Sequence, residues 1–102
     1  MQITIKDSRD LGLVVRATRK TQGLRIDDLA AFAGVGPVFA IDVEHGKPTL
    51  QFGRLLRVLE QLGLRLTVEL PDSAGPALEA LRSQGLRRRK KAAESPGLTG
   101  KP

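Results

Sequence analysis

Ile26-Asp27-Asp28-Leu29-Ala30-Ala31-Phe32-Ala33-Gly34-Val35-Gly36-Pro37-Val38-Phe39-Ala40-Ile41-Asp42-Val43-Glu44-His45-Gly46 carries two helix signatures separated by a three-residue turn. Asp27 and Asp28 stand where the positive end of a helix dipole favours carboxylates. Leu29, Ala30 and Ala33 form an inward face, and Gly34 suits a left-handed stop. That first helix is barely two turns long. Gly36 opens the second, with Pro37 at the first helical position, where a missing N–H costs nothing, and Gly46 stops it after Val43 and Glu44. Helices this short are unstable alone and need neighbours to pack against.

The neighbours are legible on both sides. Upstream, Ser8 offers a helix N-cap and Asp10 suits the first turn; Leu11, Val14, Val15 and Thr18 recur at helical spacing, so a helix is expected over about 9–22, ending at Gly23. Downstream, Thr49 is the expected cap of a helix whose Phe52, Leu55, Leu56, Leu59 and Leu62 follow the i, i+3, i+4, i+7 pattern until Gly63. Leu64-Arg65-Leu66-Thr67-Val68-Glu69-Leu70 then alternates with period two, as does Gln2-Ile3-Thr4-Ile5-Lys6, and both read as strands. The predicted organisation is an N-terminal strand at 1–7, a helical domain at 8–63, a strand at 64–71 and a basic tail at 72–102. In the tail, which reads as largely disordered, 72–76 is a linker, 77–84 a short helix around Leu78 and Leu81, 87–91 a basic run, and 92–102, with its Pro, Gly and Ser, disordered.

At 102 residues the chain supports one small domain. It has no Cys and a single His, so no disulfide framework or cysteine-based zinc site is available and no metal or cofactor is expected. Its apolar runs of four or five residues fall far short of the roughly twenty a membrane span needs, and Met1 to Ile5 lacks the features of a signal peptide. A cytoplasmic protein is expected. No catalytic group or small-molecule site can be argued: His45 has no nucleophilic partner, the carboxylates occupy capping or surface positions, and Gly34-x-Gly36 lacks the lysine of a phosphate loop. The net charge of +6 and pI near 10.5 point to a polyanionic partner. Residues 1–71 carry ten Lys and Arg against eight Asp and Glu, a net of +2, whereas 72–102 carry seven against three, a net of +4. Most of the excess lies in the tail.

Two short helices on a tight turn, flanked by longer ones, are what a helix-turn-helix requires: one helix crosses the DNA backbone and the next enters the major groove. Four runs carry a family resemblance. They are Leu11-Gly12-x-x-Val15-Arg16-x-x-Arg19-Lys20-x-x-Gly23-Leu24, Leu29-Ala30-x-x-Ala33-Gly34-Val35, Val43-Glu44-x-Gly46-Lys47-Pro48-Thr49 and Leu56-x-x-Leu59-x-x-Leu62-Gly63-Leu64. Over residues 8–71 the chain resembles the lambda-repressor-like, XRE-type domain, and more narrowly the HipB-like antitoxins, which are similar in lacking a fifth helix and placing a strand directly after helix 4. The resemblance implies a mainly α, four-helix core with a C-terminal β-strand. It also implies an ion pair between Arg19 and Glu44 that ties helix 1 to the end of helix 3. If that pair is buried, removing one partner costs on the order of 3 to 5 kcal/mol.

The expected DNA-reading positions depart from the family pattern. Arg25 and Ile26 stand where a hydroxyl residue and Gln usually open helix 2, which removes a side-chain cap contributing about 1 kcal/mol. On helix 3, Gly36, Pro37, Val38, Ile41 and Asp42 replace the usual polar set, and of these only Asp42 has a side chain that can hydrogen-bond a base edge. Direct readout leans on Arg or Lys at guanine and on Asn or Gln at adenine, and this helix has none of them. Pro37 or Val38 can meet a thymine methyl, and Asp42 can accept from cytosine. Phosphate contacts are expected from Lys20, Arg25, Lys47, Arg54 and the helix N-termini. His45 beside the groove reads equally as a phosphate contact or as an exposed polar residue after a helix. The run Arg87 to Lys91 reads as a solvated charge run or as an arm on DNA or an acidic partner.

Leu64, Leu66, Val68 and Leu70 give the second strand more apolar surface than an exposed edge tolerates. In the HipB-like family the equivalent strands of two subunits pair, implying a homodimer. Pairing within the chain against Ile3 and Ile5 is the alternative, and both arrangements fit one small sheet. The resemblance therefore implies a dimeric antitoxin and autorepressor that binds double-stranded operator DNA and restrains a HipA-like Ser/Thr kinase toxin. A protein-interaction module on the same scaffold, with Val38, Phe39 and Ile41 as its apolar contact patch, is the alternative function.

Overall fold

The computed structural model describes the backbone of residues 1–92 and the side chains of residues 1–84. Two compact units follow one another along the chain, Met1–Leu66 and a second from Thr67 onward.

In the first unit, α1 (Ser8–Thr21) begins one residue earlier than its sequence pattern suggests. Its N-cap is Asp7, whose carboxylate accepts from the Asp10 N–H at 2.9 Å, while Asp10 in turn accepts from the Lys6 N–H at 2.9 Å. Ser8, expected as the cap, is instead the first helical residue, and its hydroxyl donates to the Gly46 carbonyl at 2.7 Å. The exchange arises because Asp7 is three residues before the orphan N–H of Asp10, the spacing a cap requires.

The next two helices, α2 (Ile26–Ala33) and α3 (Pro37–Glu44), have the expected bounds, set by Gly34, Gly36 and Pro37. The fourth, α4 (Phe52–Gln61), opens from Gln51 without a side-chain cap, so Thr49 does not play the role its residue type suggested. Around these helices Val15, Leu29, Val43, Val58, Leu59 and Leu62 close into one buried cluster, with α3 packed on α1 and α2, and α2 packed on α4. The inward stripe of α4 is Leu55, Val58, Leu59 and Leu62, whereas Phe52 and Leu56 face outward, 58% and 38% exposed. Neighbouring positions on a helix diverge by about 100°, so Leu55 and Leu56 cannot both centre on the core.

The two segments read as strands, 2–6 and 64–70, adopt no strand in this chain, and no ladder joins them among the described residues. A strand needs a partner to satisfy its backbone groups, and a single copy supplies none here. Ile3 and Ile5, expected to be half-buried, are exposed, as are Leu66, Val68 and Leu70; Leu64 alone of this set packs against the core.

In the second unit a single 3-10 turn, Asp72–Ala74, leads into α5 (Gly75–Ala92). This corrects the reading of 72–102 as a largely disordered tail with a short helix at 77–84: the helix is more than twice as long and includes the basic run. Pro76 falls in its first turn, where no N–H is needed, and Ala77 to Lys91 is rich in strong helix formers. Of residues 92–102, expected to be disordered, Ala92 is the last residue of α5 and the others lie outside the described residues. Among the described residues no helix is long and apolar enough to cross a membrane.

Candidate nucleic-acid interface

The turn between α2 and α3 is fixed by backbone chemistry. Gly34 has φ 72°, a left-handed conformation that costs glycine nothing, and the chain reverses there through Gly34 N–H to Ala31 C=O at 3.2 Å and Val35 N–H to Ala30 C=O at 2.9 Å. Arg57 of α4 donates from Nη1 to the Gly34 carbonyl at 3.1 Å and so pins the turn from below. Sequence reasoning missed Arg57, because no local pattern marks a side chain that reaches a carbonyl 23 positions away.

Turn and packing together decide which face of α3 is presented. Ala40 and Val43 are buried, and Phe39 packs partly against the core, so it does not join Val38 and Ile41 as an exposed patch. Facing outward are Gly36, Pro37, Val38 at 70% exposure and Ile41 at 38%, with His45 exposed just beyond. Neither Arg25 nor Gly36 caps its helix through a side chain, which leaves the first-turn N–H groups of α2 and α3 to water or to a phosphate oxygen. Lys20, Arg25, Lys47 and Arg54 all lie on the surface of this unit.

Asp42, the only carboxylate on the presented part of α3, is partly sheltered and faces Lys47, whose Nζ stands 3.5 Å from Oδ2. The same two residues are joined through the backbone, Lys47 N–H to Asp42 C=O at 3.0 Å. The pair partly neutralises a charge that would otherwise oppose phosphate, and it occupies a cation expected to contact phosphate. Sequence reading treated the two residues separately. Their five-residue spacing places them together only because α3 ends between them at a left-handed Gly46, φ 77°.

Arg19 and Glu44 lie behind this face. Arg19 donates to Glu44 twice, Nε to Oε2 at 2.5 Å and Nη2 to Oε1 at 3.1 Å, and a third time from Nη1 to the Leu24 carbonyl at 2.9 Å. Their side chains are only 14% and 7% exposed. The hydrogen bonds that Arg19 donates to the Glu44 carboxylate raise the Arg19 pKa above its ordinary value, against the opposing effect of burial. The arrangement holds the end of α3 to the end of α1 and orders the connection into α2.

No family model matches the chain. It is 49% identical over 67 residues to an uncharacterized HTH-type transcriptional regulator, y4mF, of Sinorhizobium fredii, an alignment covering 66% of this chain and 88% of that relative.

Proposed function

The chain belongs to the HTH-type transcriptional regulators, and from that premise we propose that it binds operator DNA as a homodimer and represses its own operon. The observation that carries this reading is the presented face of α3, Gly36, Pro37, Val38 and Ile41, which stands clear of the core between uncapped helix N-termini in a unit with a net positive surface. With so little hydrogen-bonding capacity on that face, base recognition rests on thymine methyl contacts at Val38 and Ile41 and on DNA shape, while phosphate contacts from Lys20, Arg25, Lys47, Arg54 and His45 supply most of the affinity.

Dimerisation is assigned to the exposed apolar residues Ile3, Ile5, Leu66, Val68 and Leu70, together with Leu64, by pairing of the 64–70 segments of two copies. The likeness of the helix-turn-helix residues to HipB-like antitoxins, which holds over the helices although this chain has a fifth helix and no strand directly after α4, supports a second task, holding a HipA-like Ser/Thr kinase inactive. It acts in the cytoplasm, on the nucleoid when bound. One observation favours a different reading: Val38 and Ile41 expose apolar surface where a reader of bases usually carries amides or hydroxyls, which suits a protein-binding module on the same scaffold.

Gel-shift titrations over a range of salt, with the DNA upstream of its own gene and with random duplexes, separate the two. A steep salt slope with a strong preference for a palindrome is expected; equal, weak binding to every duplex sinks the repressor reading. For the kinase, co-expression with the product of the adjacent reading frame should suppress that product's autophosphorylation.

A further inference from the structure

Arg87-Arg88-Arg89-Lys90-Lys91 places five consecutive cations in the last turns of α5, in the second unit and beyond the helix-turn-helix in sequence. Nothing in the sequence between Glu79 and Glu94 offsets them. The negative end of a helix dipole, equivalent to about half a charge, offsets only a small part of five. In a helix, 87 and 90, 87 and 91, and 88 and 91 fall on adjacent turns, so the run repels itself, by about 0.2 to 0.5 kcal/mol per pair. The helical segment holds five consecutive cations and no acidic residue after Glu79, a composition that suits a polyanionic partner.

The backbone geometry distinguishes among polyanions. A rise of about 1.5 Å per residue gives this segment one positive charge per roughly 1.5 Å of axis, close to the one negative charge per roughly 1.7 Å of duplex DNA. Five consecutive positions at about 100° each go fully round a helix, so residues 87–91 do not occupy one face. A flat acidic surface, whether protein or membrane, would meet only part of them. A groove with phosphates along both walls offers partners on two sides of a helix rather than one, and the major groove of duplex DNA, about 12 Å wide, admits one α-helix. The three phenylalanines of the chain all precede residue 53, so α5 has no aromatic platform on which the bases of a single strand would stack.

We infer that the C-terminal end of α5 is a second DNA-binding element, engaging the phosphates of duplex DNA in a groove without regard to sequence. It is independent of the operator reading above, because it uses no residue of α2 or α3.

The test compares the full chain with a variant carrying R87Q, R88Q, R89Q, K90Q and K91Q, in which glutamine keeps the helix propensity. Binding to a random 30-base-pair duplex, to the equivalent single strand and to phosphatidylserine vesicles is followed by anisotropy or sedimentation over about 50 to 300 mM salt. Each neutralised phosphate contributes about 0.9 to the log–log salt slope, so the variant should lose up to about 4.5 from the slope, and the ratio of the two proteins' affinities for the duplex should be up to about 500-fold larger at 50 mM than at 200 mM salt. Thermal unfolding of the two proteins should coincide. A slope changed by less than one, or single strands or vesicles bound as tightly as the duplex, would overturn the inference. Preference for the upstream DNA over random duplex, measured for both proteins, reports on the helix-turn-helix alone: its absence would undo the operator reading and leave the slope difference standing.

Discussion

Gly12 of α1 lies so close to the end of α3 that a Cβ on it would fall 2.6 Å from the carbonyl oxygen of Glu44, and equally close to that of Val43. The absence of a side chain at this one buried position is what lets the two helices meet, and the Arg19–Glu44 pair then fixes how they meet. Gly12→Ala forces backbone to move, so a loss of about 2 to 3 kcal/mol is expected, or roughly 10 to 20 °C in Tm by thermal circular dichroism. A Tm within 2 °C of the parent would show that the helices are not held this tightly.

Glu44→Gln keeps an acceptor but removes the charge, and Arg19→Lys removes the fork that also reaches Leu24. Each should cost about 1.5 to 3 kcal/mol in urea unfolding, since hydrogen bonds to charged groups are the stronger kind. The double variant should show a coupling of at least about 1 kcal/mol. Simple additivity would mean that the two side chains act separately.

The Asp42–Lys47 pair makes opposite predictions for its two members. Asp42→Asn frees Lys47 and removes a charge that repels phosphate, so binding to any duplex should tighten several-fold at low salt. Lys47→Ala should weaken binding across all sequences and lower the salt slope by about one. If Asp42→Asn instead abolishes preference for one base pair without tightening random binding, the carboxylate accepts from cytosine.

Asp7 and Thr49 were both in positions from which a polar side chain could cap a helix, and only Asp7 does so. Asp7→Ala is expected to cost about 1 kcal/mol, whereas Thr49→Ala should stay within about 0.5 kcal/mol of the parent. Comparable losses at both positions, measured by chemical unfolding, would contradict this assignment.

The sequence by itself determined α2, α3 and the turn that joins them, because Gly34, Gly36, Pro37 and Gly46 act through their own backbone preferences and need no distant partner. Periodicity likewise placed Val15, Leu29 and Leu59 on inward faces, whereas the burial of Val43 came from packing. Tertiary structure decided everything that depends on which groups come together. It chose Asp7 over Ser8 as the cap and sent the Ser8 hydroxyl to Gly46, 38 residues away. It brought Arg57 beneath the turn, paired Asp42 with Lys47, and turned Leu56 outward while Leu55 faced the core. The segments 2–6 and 64–70 mark the same boundary from the other side: alternation sets which side chains share a face, but a strand is completed only by a partner's hydrogen bonds, which no residue pattern within one copy supplies.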